Sequence, residues 1–174
     1  MKASIYFSES NNEIILDMTI LLEKILLTQN ILPLEINNRI YILCENEDLM
    51  NNLDKSLWTT SQASFLPHAI YSEENYDKFP ILLSIDCNII KNVQILFLYG
   101  SNKYLQNAFN NLDNLIEYNK FNKLTNIICI LYDANHKINE LNFEKNDFNI
   151  DNVNNKFSEI NMYYKKNKIW TKLQ

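Results

Sequence analysis

Side chains suited to nucleophilic, metal or phosphate chemistry are scarce in this 174-residue chain, which holds two histidines, three cysteines and one glycine. Phosphate-cradling loops need glycines, because only a backbone without Cβ wraps an anion or lets a cofactor approach closely. With Gly100 as the single glycine, neither a GxxxxGK[ST] loop nor a GxGxxG fingerprint exists. Asp133-Ala-Asn-His136 offers two metal ligands, but no third stands at a recognisable spacing. Cys44 and His68 could form a nucleophile pair, yet Cys44 ends an apolar run and nothing beside it would lower its pKa. Glu45, Glu47 and Asp48 follow that run and suit the start of a helix, where carboxylates meet the positive end of the dipole. No cofactor and no metal is expected.

Recognition chemistry is better represented. Near the end of the chain, Lys156, Tyr163 and Lys166 are spaced by seven and three residues. On a helix that spacing sets them along the edge of an apolar stripe. A cationic rim beside an apolar groove suits an acidic peptide that ends in a hydrophobic residue and a free carboxylate. The same spacing also describes an ordinary solvated lysine face. The formal net charge of −5 argues against broad contact with a nucleic-acid backbone, so direct binding of duplex DNA is not expected.

The elements that must hold these residues follow from periodicity. The composition, 47% apolar and 21% charged, is that of a globular chain. A short strand is expected over Ala3 to Phe7. A helix follows, with Ile14, Met18, Leu21, Leu22 and Ile25 on one face. "RIYILC" reads as a strand. "NEDLMNNLDKSLW" reads as a helix carrying Leu49, Leu53 and Leu57, with Asn46 as its N-cap. "FPILLSI" and "VQILFLY" read as strands, Tyr104, Ala108, Leu112 and Leu115 as a helix, and "NIICILYD" as a fifth strand. A last helix is expected from Asp151, with Val153, Phe157, Ile160 and Tyr164 on its apolar face, and Lys137 to Asn155 reads as a polar surface loop. Apolar strands alternating with amphipathic helices predict a single three-layer α/β domain over residues 1–174. Its sheet is mostly parallel, with helices on both faces. The cysteines Cys44, Cys87 and Cys129, odd in number and set in apolar runs, read as buried thiols of a reducing compartment. No apolar run reaches the length of about 18 residues that a membrane span needs. A cytoplasmic location without membrane contact is expected.

One stretch stands apart from the Asn/Ile/Lys background. "RIYILCENEDLMNNLDKSLWTTSQASFLPH", Arg39 to His68, joins a strand and an acidic turn to a helix ending in Leu53-Asp54-x-x-Leu57-Trp58. After a polar spacer comes Ser64-Phe65-Leu66-Pro67-His68. This combination resembles the chi subunit of bacterial DNA polymerase III. "LLEKIL", "PILLS", "VQILFL" and "LYDAN" extend the similarity outward, and a late Trp170 agrees with it. "CNIIKN" replaces the family's usual turn before "VQILFL", and the last segment has lysines where the family has arginines. Lysine cannot make the bidentate grip on a carboxylate that arginine makes.

The resemblance implies a non-catalytic adaptor in the clamp-loader assembly. It would bind the acidic C-terminal tail of single-stranded DNA-binding protein through Lys156, Tyr163, Lys165 and Lys166. A separate face with Trp58, Phe65, Leu66 and Pro67 would dock the psi subunit or an accessory helicase. A diverged chi working with the helicase and no psi is one alternative. The other is an α/β hydrolase built on Asp133 and His136.

Overall fold

The computed structural model describes residues 2–8, 13–28, 39–59, 66–74, 78–86, 93–111, 124, 126–132, 157–166 and 169–173. Their strands are β1 (Lys2–Ser8), β2 (Arg39–Cys44), β3 (His68–Ile70), β4 (Ile81–Ser84), β5 (Val93–Tyr99), β6 (Asn126–Tyr132), β7 (Glu159–Lys166) and β8 (Ile169–Leu173). The helices are α1 (Ile14–Thr28), α2 (Glu47–Thr59) and α3 (Asn102–Asn110). All eight strands join one sheet in the order β3-β4-β2-β5-β6-β1-β7-β8, parallel except for the antiparallel β7–β8 pair.

Because strand side chains alternate, the apolar strands supply two cores. Ile40, Ile42, Ile81, Leu83, Ile95, Phe97, Ile128 and Ile130 face one side, where α1 lays down Ile14, Met18 and Leu22 and α2 lays down Met50, Leu53 and Leu57. Ala3, Ile5, Phe7, Leu43, Leu82, Leu96, Leu98 and Cys129 face the other, against Leu105 and Ala108 of α3. Helices therefore cover both faces, as the alternation of apolar strands and amphipathic helices implies. The pairing of β2 with β5 shifts by one residue between Arg39 and Ile40. That irregularity lets Val93 share a face with Leu96 and Leu98 rather than with Ile95.

The chain's end departs from expectation. The segment read as a final helix is β7 followed by β8 where it is described, while Asp151 and Val153 lie outside the described residues. Ile160 and Tyr164, four apart, satisfy a helical period and a strand period equally well. Met162 between them decides for the strand, since Ile160, Met162 and Tyr164 all pack against the same core. Pairing with β1 settles it, register by register from Lys2↔Glu159 to Phe7↔Tyr164. The short β3 was not expected either, and Leu112 and Leu115 fall outside the described residues.

At the carboxyl ends of β2 and β5, α2 departs to one face and α3 to the other. In open α/β sheets such a divergence makes a crevice that commonly receives a ligand. Here the chain's own carboxylate occupies it. Glu45 accepts hydrogen bonds from the Ser101 backbone N–H (2.7 Å) and hydroxyl (3.0 Å), at the start of α3. Ser101 Oγ in turn accepts from the Tyr104 N–H, 3.2 Å away. Asn46 caps α2 as expected, its Oδ1 accepting from the Leu49 N–H at 2.9 Å. Gly100 is required by this closeness: a Cβ there would lie 2.5 Å from the Tyr104 ring and 2.8 Å from Glu45 Cβ. We predict that Gly100→Ala costs about 1–3 kcal/mol through overpacking, read as a lowered urea midpoint with an unchanged slope.

Candidate partner-binding surfaces

Two groups of residues with recognition chemistry stand at opposite edges of the sheet. At the β3 edge, Leu53 and Leu57 anchor α2 in the core, which leaves Asp54 and Trp58 on its flank toward β3. Pro67 directs the chain from buried Leu66 into β3. His68 is buried there, and its Nδ1 lies 2.6 Å from the Leu66 carbonyl oxygen. A carbonyl can only accept, so Nδ1 carries a proton. Nε2 lies 3.4 Å from Asp54 Oδ1, an electrostatic contact rather than a well-formed hydrogen bond. The Trp58 ring lies tilted against the imidazole, with centroids 4.7 Å apart, yet Trp58 remains 53% exposed. Asp54, Trp58 and His68 thus form one local device that holds the end of α2 against the edge strand.

Of the residues expected on this face, Trp58 is exposed, Pro67 is half-buried and Leu66 is only 3% exposed. Leu66 belongs to the core beneath the surface. Phe65 lies outside the described residues. The Cys44–His68 pair gains nothing from the structure: burial pushes the Cys44 thiol up to about 12, the wrong direction for a nucleophile at neutral pH.

The opposite edge is formed by β7 and β8. Tyr163 pairs with Tyr6 across β1–β7, and their rings stack with centroids 4.7 Å apart and planes 11° from parallel. Trp170 of β8 meets the edge of Tyr6 at 5.1 Å. Burial, followed by the neighbouring Tyr163, raises the Tyr6 phenol to about 12, so it stays neutral. Lys172, exposed, lies across from Tyr163 on β8.

Beside this aromatic group sits a buried ion cluster that sequence reading missed. Lys165 is 5% exposed, and its Nζ donates to Asp17 Oδ1 (2.6 Å) and Glu13 Oε2 (2.7 Å). Ser8 Oγ donates to the other Asp17 oxygen at 3.0 Å. The Trp170 ring centroid lies 6.0 Å from the ammonium. Burial opposes the charge on Lys165, but its hydrogen bonds to Asp17 and Glu13 and their coulombic pull outweigh that cost. The lysine pKa consequently lies above its ordinary value. Lys165, expected to bind the acidic tail, thus has its ammonium shared by two of the chain's own carboxylates. A signal existed: Asp17 falls on the buried face of α1, among Ile14, Met18 and Leu22, where a carboxylate demands a partner. Lys156 and the Lys166 side chain lie outside the described residues, as do Asp133 and His136. Among the described residues no three His, Cys, Asp or Glu side chains are grouped to hold a metal, and no helix is long and apolar enough to cross a membrane.

The family model for the DNA polymerase III chi subunit, HolC, matches residues 27–138, well over half of the chain. The chain belongs to the DNA polymerase III chi subunit family. No curated protein gives a match. Chi is a polymerase accessory subunit, so the chain is a subunit of the DNA polymerase III replication machinery. The matched span includes α2, Trp58, Phe65 and the Asp54–His68 contact. It leaves out β1, most of α1 and the β7–β8 hairpin with its aromatic and ionic groups. The two edges thus differ in standing: the Trp58 edge lies within the chi-matched segment, whereas Tyr163, Trp170 and Lys165 lie beyond it.

Lys165→Met strips the buried Asp17 of its counter-charge, and we expect a loss of about 3–5 kcal/mol near neutral pH, measured by chemical denaturation. Because the folded lysine pKa is raised, its stabilisation is fully present below the ordinary value of 10.5 and is lost as pH rises through the folded value. The gap between wild type and Lys165→Met should accordingly narrow above that pH.

Proposed function

We propose that this chi-family chain is a non-catalytic replication adaptor with two protein-binding edges. It links the clamp-loader complex to single-stranded DNA-binding protein by holding that protein's acidic C-terminal tail. A second edge docks the psi subunit or an accessory helicase. The observation that carries the reading is the separation of the two recognition groups to opposite ends of one eight-stranded sheet. At roughly 4.8 Å per strand step they stand about 34 Å apart, far enough for two partners at once.

Trp58, exposed and braced by His68, is the anchor of the psi or helicase edge, and Phe65 and Pro67 of the same chi-like stretch are its further proposed members. Rigid aromatics of this kind contribute strongly to protein interfaces. On the tail-binding edge, Tyr163 works with Trp170 and Tyr6 as the apolar surface, and Lys172 is the exposed cation that faces the same side. Lys156 and Lys166 stay in the proposed tail-binding set on the chi resemblance alone, since the helical spacing that grouped them with Tyr163 gives way to strand β7. The net charge of −5 agrees with an adaptor that leaves DNA contact to the single-strand binder. Such a protein works in the cytoplasm, without a cofactor.

A synthetic peptide copying the tail and ending in Pro-Phe should bind with micromolar or better affinity in calorimetry at low salt. Its affinity should fall as salt rises. Lys172→Glu should weaken it, while Trp58→Ala should abolish capture of psi or helicase and leave the peptide affinity unchanged. Absence of peptide binding at low salt would sink the tail-binding assignment, and joint loss of both partners in a folded Trp58→Ala protein would sink the separation of edges.

A further inference from the structure

The ion cluster at the β7–β8 edge sets two carboxylates of unequal exposure on one lysine. Asp17 is almost fully buried and Ser8 satisfies its second oxygen, so this carboxylate is a fixed partner of Lys165. Glu13 is different: its side chain is 37% exposed, it precedes the first residue of α1, and it supplies a second carboxylate to an ammonium that Asp17 already neutralises. Among the described residues Lys165 thus faces two carboxylates, and Glu13, the exposed one, can leave it without opening the core.

We propose that Glu13 is an internal competitor at the tail-binding edge. Its carboxylate occupies the place on Lys165 that the terminal carboxylate of an acidic peptide takes when bound. The inference rests on the adaptor reading above and adds regulation of that same edge. An incoming carboxylate would make the hydrogen bond to Lys165 Nζ that Glu13 now accepts at 2.7 Å. The Trp170 and Tyr163 rings lie on the same side of the sheet and would receive the peptide's terminal apolar side chain. Leu16 and Ile20, both exposed, follow Glu13 by three and seven residues along α1 and so share its helix face. The exchange forms one charge-assisted hydrogen bond and breaks one, so the site discriminates by what else the ligand brings. A bare carboxylate gains little over Glu13, whereas a peptide with an apolar terminus also gains the aromatic contact. The resident anion lowers apparent affinity by the fraction of molecules in which it occupies the lysine.

The test is calorimetry of the full chain with a peptide ending in Pro-Phe, as the free acid and as the C-terminal amide, against wild type, Glu13→Gln and Glu23→Gln. Glu13→Gln removes the competing charge and keeps Asp17 on Lys165, and a thermal melt checks that it remains folded. Glu23→Gln removes the same charge elsewhere on α1. Glu13→Gln should bind the free acid about three- to tenfold more tightly than wild type, with little gain for the amide and little change in Glu23→Gln. If wild type binds and Glu13→Gln binds equally or less well, the competitor role is overturned while the adaptor reading stands. Equal gains in Glu13→Gln and Glu23→Gln would also overturn it, by reducing the effect to net charge. If neither wild type nor Glu13→Gln binds at low salt, the tail-binding reading fails and the competitor role with it.

Discussion

A run of seven parallel strands buries apolar side chains on both faces, and every other feature of this protein answers to that constraint. Tyr41, Phe97, Ile5 and Leu82 have almost no exposed surface because helices or loops must lie over each side. Helices α1 and α2 take one face and α3 takes the other. Once both faces are covered, the open positions are the two lateral edges and the rim at the strand ends. Among the described residues, the side chains with recognition chemistry accordingly lie by β3 at one edge and by β7–β8 at the other.

Each of these places is managed with polar chemistry. At the strand ends, Glu45 lies against the start of α3, so a crevice that could take an external anion holds an internal one. At the β3 edge, buried His68 ties together the Leu66 carbonyl, Asp54 and the Trp58 ring. At the other edge, Lys165 joins the hairpin to α1 through Asp17 and Glu13. In all three, a charged or titratable side chain joins separate elements of the fold. At Lys165 and Asp17 the charge is buried and would be costly unpaired, so that contact specifies which segments meet as much as it stabilises them.

The chi-like segment also acquires a physical rationale. Its leucines, Leu53 and Leu57, are core residues, whereas Asp54, Trp58 and His68 form the contact that fastens α2 to the edge strand. A motif noticed as a linear pattern is, in three dimensions, a small polar and aromatic clasp with one tryptophan face left to solvent. The hairpin edge has no such linear signature. Tyr6, Glu13 and Asp17 come from the beginning of the chain, Tyr163, Lys165 and Trp170 from its end, and they meet because β1 lies beside β7.

What the amino-acid sequence determined by itself was whatever depends on local periodicity and on residue inventory. The apolar runs of β2, β4, β5 and β6, the amphipathic faces of α1 and α2, the Asn46 cap and the absence of glycine-rich phosphate loops all follow from neighbours a few residues apart. The tertiary structure alone decided what depends on long-range pairing. Ile160 and Tyr164 fit a helix as readily as a strand until β1 supplies hydrogen-bonding partners. His68–Ile70 is too short to form a strand without β4 beside it. Lys165 has no visible counter-charge in the linear sequence until Asp17 and Glu13, 148 and 152 residues earlier, close on it. Local pattern selects the elements, but hydrogen-bond pairing across the sheet and the need to neutralise buried charge select their neighbours.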